Sequence, residues 1–550
     1  MKIHVVSIED SLISAGVRKV SAFIRTLNPD TTPYYIPLTN FRSFKEIVLA
    51  RNPQPIDPQT QARLMGEPIA DADIVAFSSM THVADQTKAV IAQVRRINPR
   101  AYVIWGGIHP IVVPEDAIQH ADAICTGEGE FAFAEFFEPF RNGRDFTAAR
   151  NFWFNHNGRI IRNGFLPLMN RAEMDSLPLP TYGRDEWVFR KNRGNYTPLT
   201  RWDYVDYIGP AYNTVWTIGC PFKCTFCGNT KFLENDRDYA KLRHSGPQWI
   251  VDEVNAARRV HPHIANVVFH DDSFLALPLP VLQEFAALWR SQVGIPFCIL
   301  GVIPNYVRAD KLEVLLEAGL NRIRMGIQSG SRRILQFYKR PAPPEKIVAA
   351  AEALGDYAGY MMPPTFDMIL DNPVETREDV VETLELLYRL RRPYTFNLFS
   401  LRVTPNTELA KQFEELHVAA EDIGTKNYTS LAPTFANCLF VLTVCWRPPR
   451  RLFERLLRYV KPVTAKQRKY PVLLTLLRLW LLSKRAFDHF RWMDFSLIPG
   501  RITWALWRIG LVGFWQRRLN PKFSRAARVG QVHQNVRAPR PSAPLPVLSG

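Results

Sequence analysis

The chain has 550 residues, a formal net charge of +17 and 47% hydrophobic residues, enough for two or three domains. Seven cysteines over that length are too sparse for a disulfide framework, and no N-terminal stretch joins a basic start, an apolar core and a small-residue cleavage site. These features exclude a small disulfide-stapled secreted domain and point to a cytoplasmic protein.

The first 150 residues alternate strand and helix signals. Lys2–Ser7 reads as an opening strand, and Asp73–Ser78, Ala101–Trp105 and Asp122–Cys125 as later ones, with helices predicted over Ala84–Asn98 and Glu130–Phe140. The strands end in small or glycine-bearing turns: Ser78-Ser79-Met80-Thr81, Gly106-Gly107-Ile108-His109-Pro110 and Gly127-Glu128-Gly129-Glu130. The pattern predicts a doubly wound α/β domain over 1–150, with its ligand beyond the carboxyl ends of the strands. Glycine there lets a flat or phosphate-bearing ligand come close to the backbone. No G-x-G-x-x-G run is present, so NAD is not favoured. Residues 151–205 read as a linker: Asn157-Gly158 and Asn163-Gly164 mark turns, and a small hairpin is expected between Trp153 and Phe165.

The next segment, expected to be a second domain over 206–445, opens with the run Thr217-Ile-Gly-Cys-Pro-Phe-Lys-Cys-Thr-Phe-Cys-Gly228. Cys220, Cys224 and Cys227 put three thiols on one loop. A 4Fe–4S cluster takes four cysteines when fully ligated, so three leave one iron open for a small molecule. The competing reading is structural zinc with His244 or His270 as fourth ligand. Zinc ribbons usually pair two C-x2-C knuckles, and Cys125, Cys298, Cys438 and Cys445 supply no second pair. Further apolar runs follow at Asn266–His270, Pro296–Gly301, Arg322–Ile327, Thr365–Leu370 and Phe396–Leu401, separated by helical stretches. Crossovers of that length imply parallel pairing. The cysteines, Asp271-Asp272 and Gln328-Ser329-Gly330-Ser331 then all fall at the carboxyl ends of strands, where sites are built. The bland alternatives are a solvated turn or N-cap for the Asp pair, and a cap on the helix starting near Arg332 for the serines.

From Trp446 onward there are 22 Lys and Arg against 3 Asp and Glu, so the first 445 residues carry a net −2 and the basic character is entirely C-terminal. Pro471–Leu482 and Ile502–Trp515 are strongly apolar but interrupted by Arg478 and Arg508. They are too short to span a bilayer, which needs about 20 apolar residues. Apolar helices with Trp and flanking basic residues over 446–530 suit the interface of an anionic membrane. The alternatives are packing onto the preceding domain with a basic outer surface, and nucleic-acid binding. The long Leu runs favour lipid over nucleic acid. From 531 to 550 the chain is Pro- and Ser-rich, as in disordered tails.

The cysteine run, with Phe226 before its last cysteine, resembles the signature of radical S-adenosylmethionine (radical SAM) enzymes. The resemblance implies a partial (β/α)6 TIM-type barrel. Its 4Fe–4S cluster on Cys220, Cys224 and Cys227 would be completed by S-adenosylmethionine and reduced by an external electron donor to give a 5′-deoxyadenosyl radical. It also implies S-adenosylmethionine contacts from Phe226, Asp271, Asp272, Gln328, Ser329 and Gly330. Gln328 stands where an acidic residue is usual, and its amide can still bond a ribose hydroxyl. The run Trp105-Gly-Gly-Ile-His-Pro110 with Thr126-Gly-Glu-Gly-Glu130 resembles the cobalamin-binding domain of one radical SAM subclass, so the similarity covers roughly residues 1–420. That implies cobalamin held near Ser79, Thr81, Gly106, Gly107, His109, Gly127, Glu128 and Gly129. The Asp-x-His-x-x-Gly motif is absent, so cobalt is expected to lack an axial histidine and His109 to be a loop or corrin-edge residue. The activity implied is methylation of an unreactive carbon. Radical cyclisation or oxidation is the alternative, and a corrinoid or iron–sulfur carrier is the non-enzymatic one. The expected substrate is a small molecule, a lipid or polyisoprenoid if the C-terminal region meets a membrane.

Overall fold

The computed structural model describes residues 1–38, 57–182, 185–191, 193–418, 431–492, 494 and 500–514; Trp515 and the expected disordered tail lie outside them. In the N-terminal domain β1 (Ile3–Glu9), β2 (Thr31–Pro37), β3 (Ile74–Ser79), β4 (Tyr102–Gly106) and β5 (Ala123–Cys125) run parallel in the order β5-β4-β3-β1-β2. Alternate residues feed opposite faces. Val5 and Ala76 join one core with Val17 and Ile24 of the helix Ala15–Leu27, while Val6 and Val75 join the other with Val90, Ile91 and Val94 of the helix Ala84–Ile97. The helices after β1 and β3 therefore leave the sheet on opposite faces, which opens a crevice at the carboxyl ends of those two strands. The predicted strands and helices agree with this sheet, except that β2 went unpredicted. Pro33 and Pro37 argue against a strand. Here the strand Trp187–Arg190 pairs β2 only at Tyr34 and Tyr35, so Pro33 lies beside a stretch paired on one side.

Residues 151–205 are not a free linker. The expected hairpin forms as β6 (Phe152–His156) and β7 (Arg159–Arg162), turning at Asn157 and Gly158, and it extends the sheet beyond β5. A second hairpin, β8 (Trp187–Arg190) and β9 (Asn195–Pro198), extends it beyond β2, giving nine strands. Both pairs cover edges that the doubly wound core would leave open.

The second sheet begins with β10 (Ala211–Thr214). After the antiparallel pair β11 (Thr217–Ile218) and β12 (Arg243–His244) it continues through β13 (Asn266–Phe269), β14 (Phe297–Val302), β15 (Leu320–Gln328), β16 (Thr365–Leu370) and β17 (Thr395–Ser400). These six strands are parallel and in sequence order, the expected partial (β/α)6 barrel. Leu320, Ile323, Met325 and Ile327 of β15 are fully buried in the main core. The interleaved Arg322, Arg324 and Gln328 lie on the opposite face of the strand.

The C-terminal region packs on this barrel in part. The helix Phe435–Cys445 is buried along nearly its whole length and holds one side of the helix Pro471–Arg491 through Leu474, Leu477 and Leu481. Beyond that helix Asp494 sits at the amino-terminal end of the barrel, fully buried. It accepts a hydrogen bond from Asn266 (3.0 Å) and pairs with Arg322 (2.9 Å). Among the described residues no helix is long and apolar enough to cross a membrane.

His261 and His263 mark a second seam. His261 lies against Tyr204 (ring centroids 4.0 Å) near Arg18, and His263 against Trp507 of the helix Gly500–Arg508. Burial lowers both, to about 3 and about 4 from the usual 6.5, helped for His261 by the neighbouring charges of His263 and Arg18. The unfolded chain then takes up protons below pH 6.5 that the folded chain refuses, so stability falls as pH drops from 6.5 towards 4. His261→Phe keeps a ring against Tyr204 and removes one proton site. We expect a thermal midpoint at pH 7 close to the parent's and a shallower fall on acidification, read by thermal melts across pH 4–7.

Candidate functional site

Asp271 and a glycine place the cysteine loop. Asp271, directly after His270 at the end of β13, accepts from the backbone N–H groups of Trp216 (3.0 Å) and Thr217 (2.7 Å), which fixes where the chain leaves β10 and enters β11. Burial pushes its carboxyl up to about 6, against the pull of those hydrogen bonds. Next comes Gly219 at φ 106°, where a Cβ would run into the Lys241 carbonyl oxygen, so only glycine lets the loop pass the returning segment. The Cys220 N–H then bonds the Tyr239 carbonyl (3.2 Å).

The three cysteines share one neighbourhood. Burial pushes the Cys220 and Cys227 thiols up, Cys227 to about 12, and in both the charges of Asp272 and Cys224 add to the rise. A thiol held that high ionises only when a metal takes the proton's place. Ser273 Oγ lies 3.5 Å from Cys220 Sγ, and Arg340 Nη1 donates to Cys224 Sγ (3.4 Å) while its Nη2 holds the Gly326 carbonyl (2.6 Å). Among the described residues, neither histidine proposed as a fourth zinc ligand joins the three cysteines. His244 Nδ1 is 2.9 Å from the Ser245 carbonyl and His270 Nε2 is 2.8 Å from Asn213 Oδ1. Among the described residues no three His, Cys, Asp or Glu side chains close on a single ion. A four-iron cluster is wider than one ion, and three thiols spread over one loop fit it.

A cavity of ≈ 260 Å³ opens at this end of the barrel, bounded by Phe226, Gln328, Arg324, Asp367, Phe399 and Arg402. Arg324 and Asp367 pair through the Arg324 Nε at 2.7 Å to each carboxylate oxygen, and Asn397 donates to the same carboxylate (2.8 Å). Two guanidinium groups, a carboxylate and aromatic faces suit a ligand with an ammonium, a carboxylate and a flat base. Phe226 and Gln328 both border this cavity, with Gln328 in the left-handed region at φ 73°. Arg324, Asp367 and Arg402 were missed. The signal for the first was present, since alternate arginines in an apolar strand have to face the inside of a barrel.

Three expected contacts are corrected. Asp271 is spent on the backbone. Ser329 and Gly330 turn away from the cavity onto the helix Arg377–Arg389: Ser329 Oγ lies 3.1 Å from Thr383 Oγ1, and the Gly330 N–H donates to the same hydroxyl (3.0 Å). A Cβ on Gly330 would stand 2.6 Å from Thr383 Cα, so that residue serves close helix packing. Asp272 does face a cavity, and it accepts from Asn229 Nδ2 (2.7 Å).

That cavity, of ≈ 700 Å³, lies between the carboxyl ends of the two sheets. Gly106, Gly107, Gly127, Glu128 and Gly129 line it from the N-terminal domain, and Trp216, Thr217, Ile218, Tyr239 and Asp272 from the barrel side. At Gly107, φ 87°, a Cβ would meet Ser78 Oγ at 2.8 Å, so the β3 and β4 turns close up and leave a bare backbone edge. A broad, mostly apolar space over the β1/β3 crevice fits a corrin. Glu128 also ties the halves together: it accepts from the Met169 N–H (3.0 Å) and pairs with Arg243 of β12 (2.7 Å). Ser79, Thr81 and His109 do not line the cavity. Ser79 accepts from the Trp105 indole (2.9 Å), and His109 is buried against Trp105 with Nε2 on Asp116 (3.0 Å). The packing of Trp105 claims both, so His109 is not a corrin-edge residue.

Comparison with known proteins agrees with this geometry. The family model of the radical SAM superfamily matches residues 214–387, and that of the B12 binding domain matches residues 66–137. The chain is similar to an uncharacterized methyltransferase of Pyrococcus horikoshii, 23% identical over 59% of this chain and 66% of the relative. It is also similar to an anaerobic magnesium-protoporphyrin IX monomethyl ester cyclase of Rubrivivax gelatinosus, 23% identical over 66% of this chain and 61% of the relative. It thus spans just under two thirds of the length of these curated relatives. Among solved structures it shares a fold with the radical S-adenosylmethionine methyltransferase TsrM of Kitasatospora setae (TM-score 0.57, 14% identity, 76% of this chain and 77% of that one). The cobalamin-dependent S-adenosylmethionine radical enzyme OxsB gives a like result (TM-score 0.57, 13% identity, 97% and 78%).

Two substitutions test the loop's supports. Asp271→Asn leaves two backbone N–H groups facing an amide, and we expect a folded protein with less iron and sulfide per chain after anaerobic reconstitution. Arg340→Gln removes a cationic donor from a cluster sulfur. We expect the cluster midpoint to fall by tens of millivolts in an EPR-monitored titration, about 59 mV for one electron corresponding to ~1.4 kcal/mol.

Proposed function

We propose that this chain, which joins a B12-binding domain to a radical SAM domain, is a methyltransferase acting on an unreactive carbon of a small molecule. One observation carries the reading. Thr217 and Ile218, which lead into the loop of Cys220, Cys224 and Cys227, border one shared space with the glycine turns of the N-terminal domain, Asp272 facing it from the barrel side and Gly107 from the other. Cluster and S-adenosylmethionine, when bound, supply hydrogen-atom abstraction, and the corrinoid supplies the methyl group.

The chain's own residues do the positioning. Phe226, Gln328, Arg324 and Arg402 bound the S-adenosylmethionine site, and Gly106, Gly107, Gly127 and Gly129 give the corrinoid an edge without side chains. A substrate between them is held with its reacting carbon facing both, which is where most of the rate originates. The apolar wall of Val20, Ile104, Phe133, Phe152 and Val215 keeps water from a radical and suits an apolar substrate of lipid type. This reading sets the enzyme in the cytoplasm beside an external electron donor.

Anaerobically reconstituted, reduced protein should cleave S-adenosylmethionine, and Cys224→Ala should abolish that cleavage without unfolding the chain. A reduced parent protein that leaves S-adenosylmethionine intact would sink the enzymatic reading in favour of a carrier. Product mass then separates gain of a methyl from the loss of hydrogen expected of a cyclase.

A further inference from the structure

The helix Pro471–Arg491 has two apolar sides and the barrel uses one. At 100° per residue, Leu474, Leu477 and Leu481 fall together and are buried on the helix Phe435–Cys445. Val472, Leu476, Leu479, Trp480 and Phe487 fall together on the opposite side, within an arc of about 100°. They are exposed, Val472 at 72%, Leu476 at 60% and Phe487 at 65%. The stripe runs the length of a 21-residue helix, about 30 Å. An apolar stripe of that length in water, broken only by Ser483 within its arc, marks a docking surface.

Charge chooses the occupant. Lys466, Arg468 and Lys469 are exposed directly before the helix and Arg491 is exposed at its end. The region from Trp446 onward carries 22 basic against 3 acidic residues. A second copy would bring the same excess of positive charge against itself. An anionic lipid surface receives the apolar stripe and attracts the basic ends together. We propose that the outward face of the helix Pro471–Arg491 lies in the interface of an anionic membrane, its axis along the surface, with the basic residues at its two ends among the headgroups. The proposal does not rest on the methyltransferase reading, and its test does not use turnover.

The experiment floats the full-length, anaerobically purified protein with vesicles of phosphatidylcholine alone or mixed with phosphatidylglycerol. The parent protein should float with the mixed vesicles and less as salt rises. Leu476→Glu/Phe487→Glu changes two exposed side chains, so the thermal midpoint should stay at the parent's while affinity falls about tenfold or more. Lys466→Glu/Lys469→Glu should remove the preference for phosphatidylglycerol. Failure of the parent to float, or flotation unchanged in the Leu476/Phe487 variant, overturns the proposal. So does a parent dimer that the same variant dissolves while vesicles go unbound, since the stripe would then belong to a second copy.

Discussion

The Asp271 carboxylate holds the backbone N–H groups of Trp216 and Thr217, and the rest of the site depends on that pair of hydrogen bonds. Between β10 and β11 the chain stops being a barrel strand and becomes the arm that carries the cysteines. Nothing in the β10–β13 ladder dictates where that arm goes. A buried carboxylate accepting two adjacent amides fixes both position and direction, and burial makes each unmet donor expensive. The side chain looks like a ligand in the sequence because it sits at the end of a strand, where ligands belong. Its neighbour Asp272 faces the interdomain cavity, so one residue separates a support from a cavity wall.

A second constraint is that two parallel sheets present their carboxyl ends to each other. Each such end gathers loops and binding residues, so facing them makes one chamber from two half-sites. The interface is held by few polar ties. Lys19, on the helix after β1, donates to the Val215 carbonyl (2.6 Å) and pairs with Glu253 (3.3 Å). Asn406 donates to the Val112 carbonyl (2.9 Å), and Glu128 bridges Met169 and Arg243. A few charged and amide contacts around an open space fix orientation without filling the space.

The fold was legible because the dominant signals are period-two strands, 3.6-period helices and glycine turns, and these decide a doubly wound sheet and a barrel. The losses were local. β2 was hidden by Pro33 and Pro37, and the second edge hairpin by its short strands. Within the site, residue type and loop position singled out Cys220, Cys224 and Cys227, which share one neighbourhood, and Phe226, Gln328 and the glycine turns, which border the two cavities. They misplaced Ser79, His109, Ser329 and Gly330, since adjacent residues of a loop face opposite ways. Trp105 decided for Ser79 and His109, and Thr383 for Ser329 and Gly330. Those partners lie 4 to 54 residues away along the chain, and a linear pattern does not pair them.

The C-terminal region shows the same limit in another form. An apolar run such as Pro471–Leu482 reads equally as a helix packed on a barrel and as one lying on lipid. The structure shows one side of the helix packed, through Leu474, Leu477 and Leu481, and the other side exposed. The barrel's claim is firm, because Asp494 carries its charge into a fully buried place beside Arg322 and Asn266 at the amino-terminal end of the strands. A buried pair of this kind contributes little net stability but is costly to break from one side, so it pins the segment in register. The pinned residue sits at the end of the barrel opposite the cysteine loop and the interdomain chamber. The helix before it, held on the barrel by Leu474, Leu477 and Leu481, therefore has a defined orientation to that chamber, whatever surface its outer stripe meets.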